Sequence, residues 1–485
     1  MNAISSVRRD IQTTGAAGIA LLLLVISVVL NRYRVEFVPL RPQLEHFATL
    51  IAFGILLWLL YQKRAQIAFQ WSDLALAAYL FIALVSSLLF PTDQLDSVQY
   101  WARMVAAVVV YFVTRWLIRA TNPATALRFA TKLLLLFGVA EALFGIFAWF
   151  LYPLGMNLGV DQYPIGVRGP HGVVCNFSLT MYGTLWEPNV FGSSLATIIL
   201  IAATLFVSKE FAAWRKTLGI AIAIMLVALA LNASRASIGA LALGILMILF
   251  FVGGMSFMEK LKWATAAALV LVIVSVPSLE LSKDLMQLPT APGLADREVC
   301  AKWIADGMPH VLGPGDTAIS PATGPESGPT TVRRLFEEQT LNSRIVGYRA
   351  AWDEIVQRPL FGNGANSFGQ HHTTTAHTPD WISNVFLMAL HDTGIFGLAI
   401  LVAWLAWFAW TIFSAWRSAP PSALRSLVLA LGIGLVCLFV TYQLTTMLWF
   451  GFVWWYFAVL LAGAKQLPRD PLRGTISLPA VEPSR

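Results

Sequence analysis

The chain has 485 residues, of which 57% are hydrophobic and only 12% charged, with 18 tryptophans and a mean hydropathy of +0.69. No ordinary water-soluble domain has this balance, so the chain reads as an all-α, polytopic helical membrane protein. Barrel-type alternation is absent, topology explains the net charge of +7 without a nucleic-acid partner, and three cysteines without paired spacing exclude a zinc site by pattern.

The first apolar run, Ala16 to Leu30, follows Arg8-Arg9 in the manner of a signal peptide. The residues after it, Asn31-Arg32-Tyr33-Arg34, are not a small-residue cleavage site, and another span follows closely, so a retained helix is expected. About twelve spans are expected in all, centred near residues 23, 54, 82, 110, 141, 199, 225, 244, 271, 398, 434 and 456. Alternate short loops carry the basic residues: Lys63-Arg64, then Arg115, Arg119 and Arg128, then Lys209, Arg215 and Lys216, then Lys260 and Lys262, then Arg417 and Arg425, then Lys465, Arg469 and Arg473. The other loops hold Asp93 and Asp96 with few basic residues apart from the first, so the positive-inside rule puts both termini in the cytoplasm. The expected division is residues 1–280 for transmembrane helices 1–9, 281–383 for a large periplasmic loop, 384–466 for transmembrane helices 10–12, and 467–485 for a cytoplasmic tail.

Two long segments face outward in this scheme. The first, Pro153 to Pro188, contains Arg168 and the turn Trp186-Glu187-Pro188-Asn189. The second, about Leu281 to Trp381, begins as a Gly/Pro/Ser-rich excursion. Cys175 and Cys300 fall one in each, and either pair or remain free thiols. Late in the second segment Ile345, Tyr348, Trp352 and Ile355 recur at helical spacing, which predicts an amphipathic helix ended by Pro359. Arg349 and Asp353, four apart, share a side of it.

The residues able to carry chemistry sit on that outer side. Arg235, in the link Asn232-Ala233-Ser234-Arg235-Ala236-Ser237, is a guanidinium at the membrane interface, suited to a phosphate group or to lipid headgroups. Arg344 and Arg349 on the amphipathic helix meet an anionic group at the membrane surface, or the headgroups themselves. His371, His372 and His377 offer a base to an attacking hydroxyl, a metal site, or solvated loop residues. His391 and Asp392 lie within a predicted span, where a mutual hydrogen bond accounts for both. Glu187 either caps the helix after it or acts as a base. Gly362-Asn363-Gly364 lacks the Lys-Ser/Thr of a phosphate loop and reads as a turn.

Gly183-Thr184-Leu185-Trp186-Glu187-Pro188-Asn189, the link through Arg235, Ser343-Arg344 followed by Trp352, the turn Pro359-Leu360-Phe361-Gly362-Asn363-Gly364 and the run from Asn384 to Gly397 together resemble the O-antigen ligase/polymerase superfamily of bacterial envelope proteins. The resemblance implies a metal-independent, inverting glycosyltransferase in the bacterial inner membrane, without a cofactor. Its donor would be an undecaprenyl pyrophosphate-linked glycan, its acceptor lipid A core or a growing glycan, and its remaining partner membrane lipid. It implies that Arg235 and Arg344, with Arg349 and the weaker match Arg168, hold the diphosphate. A loop histidine activates the acceptor in this family. Many members carry it directly before the asparagine that opens the last segment, a position held here by Ser383; either the base is another residue, with His377, His372 and Glu187 as candidates, or the resemblance is to a branch with different chemistry. The alternative is a transporter or flippase of lipid-linked glycan or solute, against which stand the absence of visible repeats and the scarcity of mid-span charge.

Overall fold

The computed structural model describes residues 14–26, 44–67, 69–156, 158–164, 177–185, 188–232, 234–286, 338–372, 382–445 and 450–467. Arg168, Glu187, His377, Cys175, Cys300, the Gly/Pro/Ser-rich excursion and the residues after 467 lie outside them. The helices are α1 Thr14–Ile26, α2 Leu44–Tyr61, α3 Trp71–Leu89, α4 Gln94–Arg119, α5 Pro123–Leu151, α6 Pro188–Val207, α7 Arg215–Asn232, α8 Arg235–Phe251, α9 Phe257–Met286, α10 Glu338–Gln357, α11 Ser367–His371, α12 Val385–Ser418, α13 Ala423–Thr441 and α14 Gly451–Lys465. Seven helices of the described residues are long and apolar enough to cross a membrane, and further apolar helices are shorter. The protein is a helical, polytopic membrane protein.

An antiparallel hairpin of β1 (Val160–Pro164) and β2 (Phe177–Met181) adds a feature that the all-helical sequence reading does not anticipate. Its register pairs Val160 with Met181. Five-residue strands leave too short an apolar pattern to distinguish from loop.

Helices α6 and α14 form the centre, with nearly every residue of both buried. Around α14, Trp404 and Phe408 of α12, Trp454 and Phe457 of α14 and Tyr111 of α4 interlock edge to face or tilted. Such pairs add to the dispersion that holds helices together where no hydrophobic drive exists.

Hydrogen bonds sort the helix ends. Ser426 at the start of α13 donates to Glu210, in the turn between α6 and α7, at 3.1 Å. The far end of α13 meets the start of α12, where Val385 N–H donates to the Tyr442 carbonyl at 3.1 Å. The start of α12 therefore lies at the end of the bundle where α6 begins and α7 gives way to α8. The opposite end gathers the basic loops and a buried pair in which Arg115 donates to both Asp73 oxygens at 2.6 Å.

Candidate functional site

At the first end, the α7–α8 link is pinned to α6. Asn232 Nδ2 donates to the carbonyls of Met181 at 2.6 Å and Pro188 at 2.9 Å. Ser234 Oγ lies 2.9 Å from Ser237 Oγ and 3.3 Å from Asn189 Oδ1. Gly192 lets the link approach, since a Cβ there would stand 2.5 Å from Asn232 Oδ1. Arg235, partly buried, opens α8 directly after its N-cap Ser234. The backbone that carries this guanidinium is thus anchored to the start of α6.

Below the hairpin, Glu141 of α5 is buried and accepts from Thr184 N–H at 3.2 Å and from the Thr184 hydroxyl. This carboxyl secures the residues that lead into α6.

The second part of the site is built on α10. Arg344 is half-buried near its start and Arg349 is exposed. One turn after Arg344, Tyr348 donates to the Ser383 carbonyl at 3.0 Å. Burial raises the Tyr348 pKa, and the Arg344 charge partly opposes that rise. Ser383 thus packs at the joint of α10 and α12. The next residue, Asn384, caps α12 by accepting from Phe386 N–H at 3.0 Å and Leu387 N–H at 2.9 Å.

The predicted apolar stripe of α10 is only partly its buried face. Ile355 is buried, but Trp352 is 54% and Ile345 36% exposed. In a protein bathed by lipid an apolar side chain gains nothing by turning inward, so apolarity alone does not mark the packed side. The packed side centres on Ala351, Glu354 and Ile355.

Glu354 is the residue that sequence reasoning missed, and it gathers three histidines. Its Oε1 accepts from His371 Nδ1 at 3.1 Å and His372 Nε2 at 3.0 Å, and its Oε2 from His391 Nε2 at 2.7 Å. His391, wholly buried, meets Asp392 Oδ1 through Nδ1 at 3.0 Å. Burial pushes the Glu354 carboxyl up, but the hydrogen bonds and charge of His391 and the bonds of His372 and His371 outweigh it and hold the group down at about 2. A charged carboxylate only accepts, so each imidazole presents an N–H to it. The mutual His391–Asp392 bond expected from the sequence exists, but it is one link in a longer chain. The signal that was available is a carboxylate in register with Ala351 and Ile355 on a helix that follows a polar loop.

A break in α12 makes the convergence possible. Gly394 has φ 65° and ψ −170° inside the helix, a conformation essentially confined to glycine. The predicted turn Pro359–Gly364 packs into that break. Ile395 N–H donates to the Pro359 carbonyl at 2.8 Å, Asn363 N–H to the His391 carbonyl at 2.7 Å and Gly364 N–H to the Asp392 carbonyl at 3.1 Å. The α3–α4 turn clamps the same loop from outside. Arg358 donates to the Phe90 carbonyl at 2.7 Å, Gln370 exchanges bonds with Asp93 at 2.9–3.0 Å, and His371 Nε2 lies 3.3 Å from Thr92 Oγ1. Among the described residues, no group of three or more His, Cys, Asp or Glu is placed to hold a metal ion.

Residues 220–402, from α7 into α12, match the O-antigen ligase family. Over that segment the chain is similar to the O-antigen ligase/polymerase superfamily. The matched segment carries Arg235, Arg344, Glu354 and the histidine cluster, whereas the α3–α4 clamp lies outside it. That similarity supports glycan transfer in surface polysaccharide assembly. No curated protein matches the chain.

Proposed function

We propose that this protein transfers a glycan from an undecaprenyl pyrophosphate carrier to a hydroxyl acceptor at the periplasmic face of the bacterial inner membrane. The acceptor is lipid A core, which makes the protein an O-antigen ligase, or a growing chain, which makes it a polysaccharide polymerase. The observation that carries this reading is the presence of Arg235, Arg344 and the histidine cluster at one end of the bundle, inside the family segment.

The topology belongs to the same proposal: about twelve spans, a loop over 281–383 on the periplasmic side, and both termini and the tail from 467 in the cytoplasm. The gathering of basic loops at the end opposite the site supports that orientation. An enzyme made almost wholly of apolar helices suits a donor whose isoprenoid tail stays in lipid.

The chemistry is an inverting displacement. The acceptor oxygen attacks the anomeric carbon, the bond from that carbon to the pyrophosphate oxygen breaks, and the bonding electrons leave with the carrier. The proton of the acceptor hydroxyl passes to a base, for which His372, His377 and Glu187 are the candidates. Arg235 and Arg344, with Arg349 and Arg168, stabilise the charge that develops on the leaving diphosphate, the role a metal ion plays elsewhere.

The test is a proteoliposome assay with polyprenyl pyrophosphate-linked glycan and alternative acceptors, in the presence of a chelator. Replacing Arg235 by Ala is expected to lower transfer by roughly 10²–10³-fold while the protein remains monodisperse. Wild-type rates in that variant would overturn the assignment. A longer carrier-linked product identifies a polymerase, and glycan on lipid A core identifies a ligase. Carrier movement between leaflets without a change of covalent linkage would favour the transporter reading instead.

A further inference from the structure

Three histidines share Glu354, but their remaining ring nitrogens differ. His391 is sealed from solvent, and both of its nitrogens are engaged, by Glu354 at 2.7 Å and Asp392 at 3.0 Å. His371 is exposed, with its second nitrogen 3.3 Å from Thr92 Oγ1. His372 gives Nε2 to Glu354 at 3.0 Å, and its Nδ1 has no hydrogen-bond partner among the described residues. Its side chain is 36% exposed, and its ring stacks on Phe368 with centroids 4.3 Å apart. A stacked ring with one nitrogen tied to a carboxylate cannot rotate freely, and its tautomer is set by that tie.

Glu354 is itself held. Its second oxygen is bound by His391, which Asp392 holds from the other side, and these two residues sit at the helix break that the Pro359–Gly364 turn fills. The carboxylate is therefore fixed from the membrane side, and His372 is fixed from the carboxylate.

We propose that Glu354 is the positioning residue that sets His372 as the general base of the transfer. The inference rests on the glycan-transfer reading above and selects one of its candidate bases. In the step, the acceptor O–H proton moves to His372 Nδ1 as the new bond to the anomeric carbon forms and the carbon–pyrophosphate bond breaks. The imidazolium so formed remains bonded through Nε2–H to the Glu354 carboxylate, which stabilises it without taking the proton. This is the logic by which an orienting carboxylate serves a base histidine in other enzymes. The Ser383 position needs no catalytic group under this assignment, because the base comes from the end of α11.

The experiment uses the full chain in proteoliposomes with the polyprenyl pyrophosphate-linked glycan donor, and rates are normalised to monodisperse protein. Glu354→Gln and His372→Ala are each expected to lower kcat by roughly 10²–10⁴-fold, with the KM for donor within about twofold. The double variant is expected to be no slower than His372→Ala alone, because the two residues act as one unit. Losses that multiply in the double variant would overturn the proposal, as would a Glu354→Gln variant with wild-type kcat. If Gln at 354 lowers the yield of monodisperse protein, the same cycle is run with Glu354→Asp, which keeps the charge but shortens the reach to His372. Wild-type protein without transfer to any acceptor would defeat the glycan-transfer reading itself. Active wild type with an additive double variant would defeat only the role of Glu354.

Discussion

Gly394 is the position at which a single methyl group tests how the site is held. At φ 65° and ψ −170° any other residue pays roughly 1–3 kcal/mol in backbone strain. A Cβ there would stand 2.2 Å from the Leu360 carbonyl oxygen and 2.5 Å from the Phe361 nitrogen, both backbone atoms that cannot swing aside. Relief requires lifting the Pro359–Gly364 turn from the break, at a further cost of about 1–3 kcal/mol. The expected total for Gly394→Ala is about 2–6 kcal/mol, a large part of a typical stability of roughly 5–15 kcal/mol. The control is Gly347→Ala on α10, where an added Cβ meets nothing within 4 Å and helix propensity predicts a gain of about 0.5–1 kcal/mol. Thermal unfolding in detergent, followed by tryptophan fluorescence, measures both, and transfer assays on the folded fraction follow the site. Because the turn carries the chain from Glu354 to His371, Gly394→Ala should lower transfer by more than its folded fraction explains. A Gly394→Ala protein within about 1 kcal/mol of wild type, equal in activity, would refute the claim that this break organises the site.

The buried pair at the opposite end should behave as a stability element without a catalytic role. Arg115 and Asp73 are 1% and 4% exposed, so Asp73→Ala, which takes the carboxylate from a buried guanidinium, is expected to cost about 3–5 kcal/mol in chemical or thermal unfolding, and Arg115→Met added to it should recover most of the loss. Titration provides a second check. The Glu354 carboxyl is held at about 2 against an ordinary 4.5, and a depressed carboxyl stabilises the fold above its ordinary pKa. That share is lost as pH falls from about 4.5 to about 2, and Glu354→Gln should remove this segment of the acid-unfolding curve. An unchanged curve in the variant would show that the histidines do not hold the carboxylate in the folded protein.

The apolar runs of roughly bilayer length, the alternation of basic loops and the turn residues of Gly362-Asn363-Gly364 were readable because each depends on local composition or local backbone freedom. The motifs around Arg235 and Arg344 were readable for the same reason, as short patterns in a fixed order. Glu354 was not. It lies 17 residues before His371 and 37 before His391, and no local rule joins a carboxylate to imidazoles at those separations. The packed face of α10, centred on Ala351, Glu354 and Ile355, was not legible either, because lipid rewards an apolar surface as well as a core does.

What the sequence alone determined is therefore the solvent of this protein, its helical class and the short motifs it shares with a known family. The tertiary structure decided which of the polar residues meet. Gly394 opens α12 and the Pro359–Gly364 turn fills the opening, while the α3–α4 turn, far away in the chain, clamps Gln370 and Arg358. Only that combination brings three histidines onto one carboxylate, and such convergence is a property of packing in three dimensions, invisible to spacing along the chain.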